Sequence, residues 1–184
     1  MGRLRRRNGV QTMTLTAGSA AAPAPTFAAV AEQHLDDVYG YLLYLTRDRT
    51  LAEDLAGETF EKALRLWRRF DPRRGVARPW LLSIARTTAL DWFRAEERRR
   101  RRERAAAVAD VTEAAMPEGL SPELERALLS LSAGEREVIA LRVLLDLDGD
   151  ETARLLGISP TAVSTRLSRA LQKLEEKVRT HELV

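Results

Sequence analysis

The sequence predicts an all-α protein of two small helical domains joined by a flexible linker. Apolar residues recur at helical spacing along most of the 184 residues, and strand signals are absent throughout. Charged residues make up 31% of the chain and aromatic residues 5%, which favours compact helical domains over a β-sandwich. Over 105–120 the composition becomes acidic and weakly patterned. We therefore expect domains over 27–104 and 121–180, with a linker over 105–120.

The composition excludes several classes of function. Cysteine is absent, which removes disulfides, thiolate zinc sites and cysteine redox sensing, and the two histidines, His34 and His181, are too few and too separated for a metal site. We find no nucleophile constellation or Gly-rich phosphate loop, so we expect no catalytic residue, metal or cofactor. No uncharged apolar run reaches roughly 18 residues and no secretory signal is visible, so we expect a cytoplasmic protein without membrane insertion.

The chain is expected to begin with a disordered tail over 1–26, because few large apolar groups occur there. Met13 is as suitable a start as Met1, since nothing before it has a structural pattern. Thr26 is then expected to cap a first helix that runs to about Leu45, with Leu35 among its inward-facing residues.

The next two predicted helices differ in charge. Thr50 and Glu53 have capping-box spacing, which predicts a second helix to about Arg69 with Leu64 on its apolar side. A loop over 70–75 contains Asp-Pro and Gly, and a long basic helix follows it. Positions 27–64 hold eight acids and three bases, whereas 65–104 hold five acids and fourteen bases. This asymmetry indicates two partners, a basic protein surface and phosphates.

Arginines 98–102 end that basic helix. They are either a phosphate-binding stripe or a frayed charged end, and we favour phosphate contact because bases continue along one exposed side from Arg86.

The second domain contains the strongest local signal, a helix-turn-helix. After helices expected to be capped by Ser121 and Ser132, Asp148 and Glu151 form a capping box for a short helix that stops at Gly157. Ser159 and Pro160 restart a helix whose apolar stripe is Val163, Leu167, Ala170, Leu171 and Leu174. Its opposite face holds small polar residues and Arg169, which suits the major groove, although an ordinary amphipathic helix with a solvated face is the alternative.

Three segments in this order resemble the extracytoplasmic function (ECF) group of sigma factors, in the sigma-70 family of RNA polymerase sigma factors. They are 51–65 (LAEDLAGETFEKALR), 70–94 (FDPRRGVARPWLLSIARTTALDWFR) and 129–174, which contains the helix-turn-helix. The resemblance implies a sigma region 2 domain and a sigma region 4 domain. It also implies a non-enzymatic factor that binds core RNA polymerase, melts the minus-ten element and reads the minus-thirty-five element of a promoter.

The implied partners are the β′ clamp helices and β flap of core polymerase, promoter DNA in double- and single-stranded form, and an anti-sigma factor. The resemblance assigns polymerase contacts to Asp54 and Glu58, and the same acidic face carries Glu53 and Glu61. For the minus-ten element it implies Phe70, Asp71, Arg73, Arg74, Arg78, Trp80, Arg86 and Arg94, with Trp80 also a core residue. For the minus-thirty-five element it implies base reading by Thr165, Ser168 and Arg169, and phosphate contacts from Arg154, Thr161, Arg166 and Lys173.

The chain departs from the family pattern at several positions. Gly57 replaces a usual Gln and Thr88 a usual Asn, Pro79 is unusual before the Trp, and Asp146, Gly149 and Thr152 replace a Gly, an aromatic residue and an Ile.

Two other interpretations remain open. A LuxR-type regulator shares the helix-turn-helix but leaves 51–94 unexplained, and a sigma-mimic decoy for an anti-sigma factor is expected to lose the basic face that this chain keeps.

Overall fold

The computed structural model describes residues 25–71, 75–104 and 121–182, and every regular element in these ranges is helical. This confirms the all-α prediction. The helices are α1 (Phe27–Thr46), α2 (Arg49–Leu66), α3 (Ala77–Arg104), α4 (Pro122–Leu129), α5 (Ala133–Ile139), α6 (Gly149–Leu156) and α7 (Pro160–Glu182). A 3-10 turn, Trp67–Arg69, follows α2, and a π-helical turn, Ala140–Leu144, follows α5. The expected linker, and the expected tail apart from residues 25 and 26, lie outside the described residues.

Helices α1, α2 and α3 pack against one another around one core. Its fully buried side chains include Val38, Tyr41, Leu42, Leu55, Leu81 and Leu82. Lys62 of α2 donates a hydrogen bond at 3.2 Å to the hydroxyl of Thr88, which is 1% exposed on α3. The departure at Thr88 therefore gives a contact between two helices.

Three details of the first domain differ from the sequence prediction. The N-cap of α2 is Asp48, whose Oδ1 accepts from the Leu51 amide at 2.9 Å, so the capping box expected at Thr50 is wrong. The carboxylate two residues earlier takes the capping role. Leu35 and Leu64, expected to face inward, are 50% and 56% exposed because the three-helix core closes without them.

Helix α7 packs against α4, α5 and α6 to form the second domain, whose buried apolar residues are continuous with those of the first. The predicted caps of the helix-turn-helix are confirmed: Asp148 Oδ1 accepts from the Glu151 amide at 2.7 Å, and Ser159 Oγ accepts from the Ala162 amide at 3.2 Å. Gly157 ends α6 with φ at +67°, a conformation that glycine adopts without strain. Leu171 differs from the prediction, because it is 46% exposed on α7.

Helix α5 passes into a π-helical turn that local patterns did not predict. The Leu145 amide donates to the Ala140 carbonyl at 2.9 Å, one residue further back than in an α-helix. Asp146 then takes φ of +48°, a left-handed conformation that explains why glycine is usual here. The two domains also contact each other, through α1 and α3 on one side and the π-helical turn, α5 and α6 on the other.

Candidate protein and nucleic-acid interfaces

The exposed face of α2 is acidic. Glu53, Asp54, Glu58 and Glu61 are all exposed on this helix. Glu58 Oε1 lies 2.7 Å from Lys62 Nζ, and Glu61 pairs with Arg65 one turn away. Such exposed pairs contribute little to stability, so these carboxylates remain accessible to a partner.

A shallow groove of about 340 Å³ runs beside this face, between α1 and α2. Its apolar lining is Leu35, Tyr39, Ala56 and Phe60, and Asp36 and Glu53 supply carboxylates. Gly57 lies in the same lining, and a Cβ added there would meet no atom within 4 Å. Position 57 therefore has room for a side chain beside the groove.

An aromatic cluster joins the 3-10 turn, the following loop and the start of α3. The rings of Trp67 and Phe70 stack with centroids 5.1 Å apart, and Phe70 lies 4.8 Å from Trp80. Phe27 meets the edge of Trp67 at 5.5 Å. Trp80 is partly buried and is packed against the core, which agrees with its expected structural role.

Phe70 and Trp80 of this cluster border a cleft of about 960 Å³. Its first-domain lining is Arg69, Phe70, Asp71, Gly75, Val76, Pro79, Trp80 and Ser83, and Glu151, Arg154 and Leu155 of α6 line it from the second domain. Arg73 and Arg74, expected in the same loop, lie outside the described residues. Arg154, expected at a phosphate beside the recognition helix, instead borders this interdomain cleft.

The arginines of α3 have different environments. Arg78 holds both oxygens of Asp37, with Nε to Oδ2 at 2.7 Å and Nη2 to Oδ1 at 2.9 Å, and this hydrogen bonding lowers the pKa of Asp37. Arg94 is exposed and pairs with Asp91 at 3.1 Å. Arginines 99–101 pair with Glu96 or Glu97 within the helix, on its exposed surface.

Arg86 makes an interdomain ion pair, which sequence reasoning missed. Its Nε donates at 2.8 Å to Glu137 Oε1, and the hydroxyl of Tyr41 donates to the same oxygen at 3.0 Å. Burial, and secondarily the charge of Glu137, raises the pKa of Tyr41 well above its ordinary value, so the hydroxyl stays a donor. Glu137 is 96 positions from Tyr41 and 51 from Arg86, so no local pattern paired these residues.

The helix-turn-helix presents a polar groove at the start of α7. Thr161, Thr165, Arg166 and Arg169 line it together, with Ser132 and Glu135 of the second domain among the other lining residues. Ser168 is exposed but outside this lining, and Lys173 Nζ binds Glu135 Oε1 at 2.6 Å. The structure thus brings together four of the seven residues assigned to the minus-thirty-five element.

Within the described ranges, no group of three or more His, Cys, Asp or Glu side chains is placed to hold a metal ion. None of the helices in these ranges is long and apolar enough to cross a bilayer.

An all-α chain with a helix-turn-helix, a separate acidic helix and an aromatic cleft is typical of a DNA-binding factor that also docks on a protein. Comparison with known proteins identifies the class. The family model for Sigma-70 region 2 matches residues 30–114, and the model for Sigma-70, region 4 matches residues 121–174.

The chain is similar to the ECF RNA polymerase sigma factor SigX of Bacillus subtilis, with 30% identity over 161 residues covering 82% of each chain. Its fold is similar to that of the sigma factor RpoE in a complex with the anti-sigma factor NepR from Bartonella quintana, with a TM-score of 0.72 and 23% identity. That match covers 83% of this chain and 96% of the other. CnrH, solved with the cytosolic domain of CnrY, matches with a TM-score of 0.62 and 26% identity over 84% of this chain and 88% of its own.

The chain belongs to the sigma-70 family, in its ECF group. It is therefore a sigma factor, a non-enzymatic protein of transcription initiation, as the sequence predicted. The LuxR-type alternative is excluded, because the match to region 2 covers the segment that such a regulator leaves unexplained.

Proposed function

We propose that this sigma factor divides promoter recognition and polymerase binding among the surfaces described above, and that it works in the cytoplasm under the control of an anti-sigma factor. The observation that carries the proposal is the groove at the start of α7, where Thr161, Thr165, Arg166 and Arg169 converge. A helix presents base-reading groups to the major groove in this way when its N-terminal half enters DNA.

Duplex DNA at the minus-thirty-five element is read by α7. Arg169 is exposed and suited to the O6 and N7 acceptors of guanine, while Thr165 and Ser168 supply shorter hydroxyl contacts. Arg166 and Thr161 position the helix on phosphates, with Lys173 one turn beyond Arg169. Arg154 reaches a phosphate only when α6 leaves the interdomain cleft.

Single-stranded minus-ten DNA is held by the cleft that contains Phe70, Asp71 and Trp80. Extruding a base costs a few kcal/mol, and stacking on aromatic rings offsets part of that cost. The partly buried Phe70 and Trp80 supply such rings. Arg73 and Arg74 in the loop, and Arg78, Arg86 and Arg94 on α3, supply the positive charge for the backbone.

Core polymerase docks on α2. Four accessible carboxylates, those of Glu53, Asp54, Glu58 and Glu61, suit a basic partner surface, and the adjacent apolar groove suits one of its apolar side chains. We assign the β′ clamp helices to this face and the β flap to the second domain.

Two similar structures contain a bound partner protein, and in one of them that partner is an anti-sigma factor. RpoE was solved with the anti-sigma factor NepR, and CnrH with the cytosolic domain of CnrY. A partner of this kind regulates the chain by covering the polymerase-binding or DNA-binding surfaces.

Run-off transcription with sigma-free core polymerase on a library of genomic fragments from the source organism tests the assignment. We expect initiation that depends on this protein and is lost on Asp54→Lys or Arg169→Ala. The matched controls are Glu175→Lys and Arg179→Ala, two exposed positions further along α7, and both are expected to retain initiation.

The other outcomes distinguish the competing interpretations. Binding to duplex DNA without initiation contradicts the polymerase-docking assignment. If the protein neither initiates nor binds DNA but binds an anti-sigma factor, the sigma-mimic decoy replaces the proposal.

A further inference from the structure

The interdomain contact is centred on the carboxylate of Glu137 in α5. This side chain is only 13% exposed, and it receives hydrogen bonds from Tyr41 of α1 at 3.0 Å and Arg86 of α3 at 2.8 Å. A carboxylate removed from water is costly unless it is paired, so a closed arrangement must keep Glu137 beside Arg86 and Tyr41. The contact therefore favours one placement of the second domain on the first.

In that placement α6 lies over the proposed minus-ten cleft. Glu151, Arg154 and Leu155 line the cleft from one side, opposite Phe70 and Trp80. Asp146 and Glu151 are also close enough to Arg78 to add to the pKa increase that Asp37 causes by hydrogen bonding. Carboxylates of the second domain thus lie near Arg78 and Arg86, the two α3 arginines assigned to DNA phosphates.

We propose that the free chain is autoinhibited, with the second domain closing the minus-ten cleft and Glu137 acting as the latch that holds Arg86 and Tyr41. Single-stranded DNA enters when the domains separate, and Arg86 then exchanges the Glu137 carboxylate for a phosphate. This inference rests on the proposed role of the cleft. Under this proposal the chain closes without a partner. A bound partner then strengthens or relieves the closure, according to whether it binds the closed or the open state more tightly.

Closure is tested by the distance between the domains in the full-length protein. The chain contains no cysteine, so nitroxide labels attach only at Thr87→Cys on α3 and Ser164→Cys on α7, both exposed positions. Double electron–electron resonance is expected to give one narrow distance distribution. Glu137→Gln and Tyr41→Phe, which keep side-chain shape, are expected to broaden it and lengthen its mean, whereas Glu175→Gln leaves it unchanged.

A charge exchange tests the contact itself. Glu137→Arg opens the chain by placing two cations together, and the double variant Arg86→Glu with Glu137→Arg is expected to recover the narrow distribution. Failure of the double variant to close, when circular dichroism shows it to be folded, overturns the latch.

Access to the cleft is measured with a fluorescent single-stranded oligonucleotide of mixed sequence. If the open form is about a tenth of the wild-type population, Glu137→Gln tightens binding by up to about tenfold, because affinity scales with the competent fraction. Glu175→Gln again serves as the control.

The two proposals fail in different ways. A broad distance distribution in the wild type overturns autoinhibition, whatever the affinity for DNA. In a second outcome the wild-type distribution is narrow, Glu137→Gln broadens it, and neither form binds the oligonucleotide. This result keeps Glu137 as a contact between the domains, but it overturns both the proposed function of the cleft and its autoinhibition. Opening with unchanged affinity overturns inhibition alone.

Discussion

Lys173 Nζ lies 2.6 Å from Glu135 Oε1, a contact that joins the middle of α7 to the start of α5. The other oxygen of Glu135 accepts from the Ser132 amide at 2.8 Å and closes the capping box. One carboxylate therefore caps α5 and holds the recognition helix. The hydrogen bond from Lys173, followed by that from the Ser132 backbone, lowers the pKa of Glu135 to about 2.

This lowered pKa predicts a contribution to stability that depends on pH. A carboxyl group whose pKa is lower in the folded chain than its ordinary 4.5 stabilises the fold above pH 4.5, and the contribution is lost as pH falls toward 2. We expect the Glu135→Gln variant to lose less stability than the wild type between pH 5 and pH 2.5. Urea unfolding followed by far-ultraviolet circular dichroism measures the difference.

The control for this experiment is Glu175→Gln, which removes an exposed carboxylate that pairs with Arg179 on the same helix. We expect it to keep the wild-type dependence on pH. The hydrogen bond from Arg78 lowers the pKa of Asp37 as well, so the wild-type curve contains more than one group, and the comparison between variants isolates Glu135. Parallel curves for Glu135→Gln and the wild type contradict the assignment.

The buried hydroxyl of Thr152 predicts a substitution that stabilises the protein. The Thr152 side chain is 0% exposed in α6, and its buried hydroxyl makes no hydrogen bond within the part of the chain that the structure describes. A buried hydroxyl without a partner is costly, so Thr152→Val, which has nearly the same shape, is expected to stabilise the protein by about 1 kcal/mol. Unfolding of the second domain is followed by circular dichroism and not by tryptophan fluorescence, because all three tryptophans lie in the first domain.

Thr59→Val is the matched control, because Thr59 is equally buried but donates to the Leu55 carbonyl at 2.7 Å. Removing this satisfied hydroxyl is expected to destabilise the first domain by about 1 kcal/mol. The same sign for both variants would rule out this explanation for Thr152.

Two glycines are expected to respond in opposite ways to alanine. Gly57 lies inside α2, and a Cβ there meets nothing within 4 Å, so Gly57→Ala is expected to stabilise the helix by about 1 kcal/mol. Gly157 has φ of +67°, so Gly157→Ala is expected to cost about 1–2 kcal/mol through left-handed strain. Thermal unfolding of both variants checks the pair, and a destabilising Gly57→Ala would mean that α2 requires the glycine.

Local chemistry explains how much of the fold the sequence predicted. The caps at Ser132, Asp148 and Ser159 were predictable because each joins groups at most three residues apart. The start of α2 was not, because the capping-box spacing of Thr50 and Glu53 favoured Thr50, whereas the N-cap is Asp48, two residues earlier. The π-helical turn was also not predicted, because apolar periodicity does not distinguish it from an α-helix.

The candidate site residues were likewise predictable where one helix sets their arrangement, and not where contacts between domains set it. Thr165 and Arg169 lie one turn apart on a single helix, so periodicity placed them on one face, and the structure lines one groove with both. Helical spacing placed Arg86 on an exposed basic side, and the family resemblance implied a phosphate contact for Arg154. In the structure Arg86 binds Glu137 and Arg154 borders the interdomain cleft. Contacts between domains leave no periodic signal, so their partners were not predictable.

The two arginines of the α7 groove are expected to differ in what they contribute to DNA binding. Arg169 is exposed and assigned to a base edge, so Arg169→Ala is expected to cost about 1–3 kcal/mol on the preferred duplex and to relax base preference at one position. Arg166 is less exposed, with its guanidinium over Gly134, and is assigned to a phosphate. Arg166→Ala is therefore expected to weaken preferred and scrambled duplexes alike and to reduce the salt dependence by about one ion. Fluorescence anisotropy over a range of salt concentrations separates the two effects, with Arg179→Ala as the control. Equal losses on both duplexes for Arg169→Ala would reassign it to the backbone.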